Sequence, residues 1–252
     1  MLERLELRPG FHGAIWGFTY PGWCSYSHSH AELELNIVTA GSATYLVNDR
    51  RVTVAKSQLL WLPAGQEHHL VHESNDLTMW IVVFRAGPAR QLAWADGSPQ
   101  VRQLTLADFR WLDRLCRRLN QTMDAQLGNS GLAFLAHEAY RAGRAELAPV
   151  AAHPVVLETV RALERDPSSS LIALSSAVRL TPDRLARLFR RELGTTLVAW
   201  RTRCRLERAI ARHAGGESWL TAALAGGFGS YSQFHRAFTQ HVGGSPRAWQ
   251  DA

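Results

Sequence analysis

The stretch Leu220–Trp249, LTAALAGGFGSYSQFHRAFTQHVGGSPRAW, decides the reading of this chain, because the segment 49 residues before it is an imperfect copy. Sliding one along the other pairs Leu171 with Leu220, Ala173 with Ala222, Arg187 with Arg236, Phe189 with Phe238, Gly194 with Gly243 and Trp200 with Trp249. Each copy runs through a short apolar-periodic helix, a turn ending at Leu180 or Gly229, and an N-cap at Thr181 or Ser230. Pro182 follows Thr181, where a missing N–H costs a helix nothing. Leu185, Leu188 and Phe189, and then Phe234, Ala237 and Phe238, recur at helical spacing, and each pattern stops at a glycine, Gly194 or Gly243. This predicts two helix-turn-helix units, over 171–193 and 220–242.

Between them, residues 197–213 contain no Gly or Pro and carry Arg201, Arg203, Arg205, Arg208 and Arg212, which predicts one connecting helix with a strongly basic face. Upstream, residues 155–164 read as a lead-in helix ended by Asp166-Pro167. From Ala152 onward there are 14 Arg against 8 Asp plus Glu, whereas the first 151 residues hold 14 basic and 14 acidic side chains. The net charge of +6 therefore lies wholly in the repeat-bearing part, which points to a polyanion as its partner. The Pro-flanked stretch 147–153 is the expected boundary, giving domains over 1–148 and 153–252. The start, MLERLELRPG, lacks the pattern of a signal peptide, and no apolar run reaches the roughly 18 residues of a membrane helix. Cys24, Cys116 and Cys204 show no metal or redox spacing. A cytoplasmic protein with no membrane partner and no disulfide framework is expected.

Residues from about 10 to 90 read differently. ELELNIVTAG, SATYLVNDRR, VTVAKSQLLWLPAG and LTMWIVVF have strand composition and are punctuated by Gly41, Asn48-Asp49 and Pro63-Ala64-Gly65. Short strands at this spacing predict a small antiparallel barrel or jelly roll. After a turn at Asp96-Gly97-Ser98-Pro99 the period becomes helical, with helices over about 104–147. Phe109, Leu112, Leu115, Leu119, Met123 and Leu127 form one stripe, and a second helix is expected over 132–147. The stripe needs a partner, either the barrel or a second copy, the latter giving a homodimer through Leu112, Leu115, Leu119 and Met123. The fold class is α+β, a barrel with two following helices and then an all-α domain.

Within the barrel segment, Gly22, His28-x-His30, Glu34 and Gly41 resemble the first motif of the cupin barrels, and Pro63-x-Gly65-x-x-His68 resembles the second. Ser57 stands where that motif usually has Gly, and His72 where it usually has Asn. His28 and His30, two apart, share a strand face, as two imidazoles on one metal must. With Glu34 and His68 they make a set of three nitrogens and one carboxylate suited to a first-row divalent ion, Zn or Ni, rather than Mg or Ca. Glu32 has the same parity as Glu34 and is the alternative carboxylate. A metal-free pocket that hydrogen-bonds a polar effector is the other use of these side chains. Trp16, Trp23, Trp61 and Trp80 supply aromatic surface, and strand position alone does not choose which lines the barrel mouth.

Leu185-x-Arg187-x-Phe189, Gly194, Arg205-Leu206-x-x-Ala209, Gly227-Phe228, Phe234-x-Arg236-x-Phe238 and Gly243-x-Ser245-Pro246 resemble the double helix-turn-helix domain of the AraC family of bacterial transcription regulators. A cupin-like half, two helices and this domain are also that family's layout, so the resemblance covers nearly the whole chain. It implies double-stranded DNA and a small-molecule effector as partners, with RNA polymerase a further one. Ala222 for the usual Ile, Gly226 within the second unit's first helix, and Thr239 for a usual Lys or Arg are departures. They predict a less rigid second unit and one phosphate contact fewer.

Independently of the family, a helix that buries Leu185, Leu188 and Phe189 turns Asp183, Arg184, Ala186, Arg187 and Arg190 to other faces, within reach of a DNA groove. Ser232, Gln233, His235 and Arg236 take the same places in the second helix. Arg reads a guanine edge bidentately and Asp favours a cytosine amino group. The leading reading is an effector-responsive DNA-binding regulator. A metal-dependent cupin enzyme, a dioxygenase or isomerase with a DNA-binding tail, is the alternative, and a DNA-binding protein without an effector is a third. The effector, the promoter and the choice between activation and repression are open at this level.

Overall fold

The computed structural model describes residues 4–20, 27–85, 99–142, 146–147 and 149–250. Gly22 and Trp23 of the barrel segment, and the Asp96–Ser98 turn, lie outside the described residues. The chain divides into two compact units, one ending at Ala151 and one beginning at Ala152.

The first unit is built from β1 (Gly13–Thr19), β2 (Leu33–Ala40), β3 (Ser42–Val47), β4 (Arg50–Ala55), β5 (Gln58–Leu62), β6 (His68–Glu73), β7 (Thr78–Phe84), β8 (Gln100–Gln103), β9 (Glu146–Leu147) and β10 (Val150–Ala151). They pair antiparallel into a sheet of order β1-β7-β2-β5-β8-β9 and a smaller one of order β10-β4-β3-β6. Strands β8 to β10 lie outside the 10–90 span expected for the barrel, and they extend both sheets from either side of the helices. Val47 faces Arg50 across a two-residue turn in which Asn48 takes φ 53, a conformation Asn tolerates well. Ser57, at the position where the cupin motif has Gly, has φ 64, which explains the glycine preference there. Its amide donates to the Val38 carbonyl and its carbonyl accepts from Leu104, so the strained turn is held at both ends.

Strand β2 is buried on both faces, and its parity separates two environments. Leu33, Leu35 and Ile37 join Leu59, Trp61, Val82 and Phe84 in a core closed by α1 (Leu106–Asn120) and α2 (Ala125–Arg141). Glu34, Asn36 and Val38 face the other way, into the space between the sheets, where the Tyr45 hydroxyl reaches Met79 Sδ at 3.5 Å. The long apolar stripe divides. Asp124 accepts from the Leu127 amide and starts a new helix seven residues before the expected 132, which α1 reaches no further than Asn120. Leu112 is wholly buried in the unit's own core and Leu115 and Leu119 pack against it, while Met123 is 74% exposed. Of the four residues of the expected dimer surface, Leu112 is thus taken up by the unit's own core, and Leu115 and Leu119 are left half-buried. The apolar side chains α1 and α2 leave outside are Leu106, Trp111, Leu127 and Phe134.

The second unit runs α3 (Pro154–Arg165), α4 (Leu171–Ala177), α5 (Pro182–Leu193), α6 (Leu197–Ala214), α7 (Trp219–Ala225), α8 (Tyr231–Val242) and α9 (Pro246–Gln250). The two repeats are not in uniform register. Ser170 and Ser218 cap α4 and α7, an offset of 48, whereas Thr181 and Ser230 begin α5 and α8, an offset of 49. One extra residue, Gly229, therefore lies in the second turn, and Leu171 corresponds to Trp219 rather than Leu220. Gly194 (φ 77) and Gly243 (φ 79) end α5 and α8 in the left-handed conformation.

Gly226 is not a loosening residue. It is buried, and a Cβ on it would meet the Arg205 carbonyl oxygen at 2.8 Å and Ala209 Cβ at 3.1 Å, so the missing side chain lets α7 close onto α6. The basic face expected on α6 is also largely committed within the unit. Arg201, Arg205 and Arg208 donate to the carbonyls of Ser169, Pro167 and Arg165, Arg203 pairs with Glu207 over the Trp200 ring, and Arg212 pairs with Glu217. These arginines tie the carbonyls behind α3 to the connecting helix.

Candidate functional site

Two sets of side chains stand apart from the cores. In the first unit, the segment before β2 forms an isolated bridge in which His28 and His68 exchange both backbone hydrogen bonds, at 3.1 and 2.8 Å. The Pro63-x-Gly65 turn is pinned beside it by the Gly65 amide, which donates to the His30 carbonyl at 2.7 Å. This arrangement brings ligand atoms of His28, His30 and His68 within 4.8 Å of one another. Glu34 lies beside two of the three, with Oε2 3.0 Å from His30 Nε2 and 3.5 Å from His68 Nε2. Glu32 lies on the opposite side of the His30 ring, 3.8 Å from Nδ1, and leans toward Arg85. Of the two carboxylates, Glu34 is the one that faces Nε2 of both His30 and His68.

The hydrogen bonds decide where the protons are. His30 Nδ1 lies 3.0 Å from the Glu32 carbonyl and His68 Nδ1 lies 2.9 Å from the Gln66 carbonyl, and carbonyls only accept, so each Nδ1 carries its hydrogen. Each Nε2 then meets Glu34 either as an imidazolium N–H or as a lone pair. Burial pushes the Glu34 carboxyl up, but the charge of His68 and the hydrogen bonds of His30 and His68 outweigh it and hold the group well below the usual carboxylate range. An ionised carboxylate facing two imidazole lone pairs is repulsive, so the cluster calls for positive charge, supplied by protons or by a cation. A backbone carbonyl on Nδ1 with Nε2 directed at the centre is also the usual outer-shell support of metal-binding imidazoles. His72 belongs to β6, opposite Thr44, and is not part of the group.

The sheet register also sorts the tryptophans. Trp61 is buried against Phe84 on the helix-facing side, and Trp80 faces that side too, donating to Asp113 at 2.8 Å. Trp16 lies opposite Ile81, which lies opposite Asn36, so it shares the face of Glu34 and remains 37% exposed. Asn36 also lies on this face and donates to Glu34 Oε1 at 2.7 Å, a contact that the spacing of the ligand-type residues does not reveal. A polar side chain two residues after Glu34, on the same face of an otherwise apolar strand, was the available signal. Cys116 and Cys204 are buried, and burial pushes both thiols up.

In the second unit, Asp183, Arg184, Arg187 and Arg190 of α5 are exposed, while Ala186 is half-buried. Leu185 and Phe189 are the buried side chains beneath them, and Leu188, expected in the core, is half-buried. On α8, Ser232, Gln233, His235 and Arg236 are exposed over Phe234 and Phe238. Gln233 has a second duty: Ser230 Oγ accepts from its amide while its Oε1 accepts from Gly229 N–H at 3.2 Å, a reciprocal cap that fixes the start of α8. The exposed faces are thus unequal, four arginines (Arg184, Arg187, Arg190, Arg191) on α5 against Arg236 on α8. Among the described residues no helix is long and apolar enough to cross a membrane.

Comparison with known proteins falls on both units. The family described as AraC-like ligand binding domain matches residues 9–139, and that described as Helix-turn-helix domain matches residues 174–252. The bifunctional transcriptional activator/DNA repair enzyme Ada of Escherichia coli (strain K12) is 33% identical over 88 residues, 35% of this chain and 25% of that protein, so the chain spans a quarter of its relative's length. Among solved structures, ToxT from Vibrio cholerae O395 aligns over 96% of this chain and 97% of its own, with 11% identity and a TM-score of 0.40. The C-terminal domain of AraT, a response regulator from Geobacillus stearothermophilus, aligns over 39% of this chain and 85% of its own, with 20% identity and a TM-score of 0.37.

Proposed function

The chain belongs to the AraC family of transcription regulators, and from that premise we propose that α5 and α8 read two segments of double-stranded DNA while the space between the two sheets of the first unit receives the effector. The observation that carries the DNA reading is the pair of exposed helices, α5 presenting Asp183, Arg184, Arg187 and Arg190 and α8 presenting Ser232, His235 and Arg236, each on a buried Leu/Phe or Phe/Phe base. Arginines on phosphates make affinity salt-dependent, so binding of the full chain to duplexes selected from fragmented genomic DNA is expected to weaken roughly a thousandfold between about 50 and 200 mM salt. A full chain that binds none of these duplexes, or binds with no salt dependence, contradicts the reading. RNA polymerase is a further partner in this proposal where the regulator activates.

The histidine cluster fits a first-row divalent ion. His28, His30, His68 and Glu34 would hold it, with positive charge that the facing lone pairs and carboxylate call for, and the ion would supply a coordination position to a polar effector. Elemental analysis of protein prepared without a His tag is expected to show about one Zn or Ni per chain, lost in His28→Ala and in a His30/His68 double alanine variant. Metal kept at full occupancy in a variant with His28, His30 and His68 all replaced by Ala refutes the site, and a metal-free native protein stabilised by an effector assigns the cluster to hydrogen bonding instead. The enzyme alternative rests on this same cluster, and turnover with bound Fe or Mn is the observation that favours it.

Pairing of two copies falls to the side chains the barrel leaves uncovered. Trp111 and Phe134 meet edge to face at 6.4 Å on the outside of α1 and α2, with Leu127 on the same hairpin. Phe134→Glu is expected to turn a dimer into a monomer by light scattering, whereas Leu106→Glu, at the start of α1, is expected to leave it paired. A monomeric native chain removes the premise.

A further inference from the structure

We propose a second small-molecule site in the first unit, on the helix side of the larger sheet, that takes a free α-amino acid with an apolar side chain. A cavity of about 180 Å³ lies there between the N-terminal segment, the start of β1 and the α1–α2 hairpin. It is on the opposite face of the sheet from the space between the two sheets. Ile15, Leu119 and Leu132, which line it, belong to the helix-facing core, and a Cβ built on Gly13 would meet Leu132 Cδ1 at 3.2 Å. Polarity changes from floor to mouth. Gly13, Gly128 and Leu132 are buried, whereas Glu6, Arg8 and Asn120, which also line the cavity, are exposed.

The walls are fixed by contacts of their own, so the cavity is formed before any ligand arrives. Asn129 on α2 clasps the N-terminal segment, its Oδ1 accepting from the His12 amide at 2.7 Å and its Nδ2 donating to the Gly10 carbonyl at 2.9 Å. The Phe11 ring rests on Gly128, where a Cβ would meet it at 2.6 Å, and Leu119 is seated where a Cβ on Gly131 would strike it. Both side chains are thereby held on α2, and neither fills the space. An apolar floor of this size suits a branched aliphatic chain or one aromatic ring, since a cavity of about 150 Å³ admits benzene. The mouth specifies what that chain or ring is attached to. Glu6 and Arg8 stand there with opposite charges, and among the described residues no ion pair joins them. The Arg8 guanidinium donates to Met123 Sδ at 3.2 Å, a weak acceptor, which leaves its remaining N–H groups for a carboxylate. A purely anionic or purely cationic head meets one of the two as a like charge. An α-amino acid presents both, a carboxylate for Arg8 and an ammonium for Glu6, on the carbon that carries its apolar side chain.

Titration of the isotope-labelled full chain with L-leucine and with L-phenylalanine, read by amide chemical shifts, tests the site. At least one of the two is expected to move the amides of Gly13 and Gly128. It should bind at least about tenfold tighter than glycine, since each buried methylene strengthens binding roughly fourfold. Removing one head charge, as the N-acetyl or the carboxamide derivative, is expected to weaken binding roughly two- to fivefold, the worth of an exposed ion pair. In Arg8→Ala the free acid and the carboxamide should bind alike while acetylation still matters, and in Glu6→Ala the reverse; Arg8→Lys should keep the preference for the free acid. Both positions are exposed, so these changes leave the core intact. Equal binding of the free, acetylated and carboxamide forms, or charge preferences unchanged in both alanine variants, would overturn the zwitterionic head. Shifts that fall on β2 instead of Gly13 and Gly128 would place the ligand between the sheets and overturn this site while leaving the effector reading standing. If neither amino acid binds at millimolar concentration, the cavity is a packing gap and the proposal is wrong.

Discussion

Phe234→Ala is expected to remove about 3 to 5 kcal/mol from the second helix-turn-helix unit, the loss found when a fully buried aromatic is truncated and its cavity does not refill. Phe234 is wholly buried in a cluster with Trp219, Phe228 and Phe238, at ring-centroid distances of 5.4, 5.5 and 5.5 Å. Gly226 already lets α7 lie where any Cβ would meet the Arg205 carbonyl oxygen at 2.8 Å, so little room is left for the helices to close on the cavity. Amide hydrogen exchange on the full chain reads the effect locally, and protection in α7 and α8 should collapse while that of α1 and α2 is unchanged. A loss under about 1 kcal/mol would mean that the aromatic cluster does not hold the unit together.

The second large effect belongs to the first unit and separates two neighbouring carboxylates. Glu34→Ala removes the partner of His30 and His68 and the acceptor of Asn36, all of them buried, and breaking a buried pair from one side costs about 3 to 5 kcal/mol. Glu32→Ala removes contacts of 3.8 Å to the far side of His30 and 4.0 Å to the exposed Arg85, and should cost well under half as much. Urea unfolding followed by exchange of the β2 and β7 amides compares them. Equal losses in the two variants contradict the geometry that puts Glu34 at the centre.

The two helix-turn-helix units were legible because every level of the chain agreed on them: apolar spacing at Leu185 and Phe189, caps at Thr181 and Ser230, and glycine stops at Gly194 and Gly243. The extra Gly229 was not, since sliding one repeat on the other at 49 aligns the recognition helices and tolerates a slip of one in the short helices before them. The histidine cluster was legible from its spacing, but Asn36 was not, because β2 is buried on both faces and gives no clean alternation. Partner choice was the least legible feature. A stripe such as Leu112, Leu115 and Leu119 says that a helix is covered, not what covers it, and here the unit's own core of sheet and second helix takes Leu112 entirely and the other two in part. The arginines of α6 fail to announce their task for the same reason, since a carbonyl and a phosphate attract a guanidinium alike.

The account rests on α5 and α8 each touching DNA, and hydroxyl-radical footprinting of the full chain on a selected duplex tests that directly. The native chain is expected to protect two patches about one helical turn apart. Arg187→Ala should erase or weaken one patch and Arg236→Ala the other, each with a loss of roughly 1 to 3 kcal/mol where a base contact is removed. Footprints that stay unchanged at both patches in both variants would contradict it.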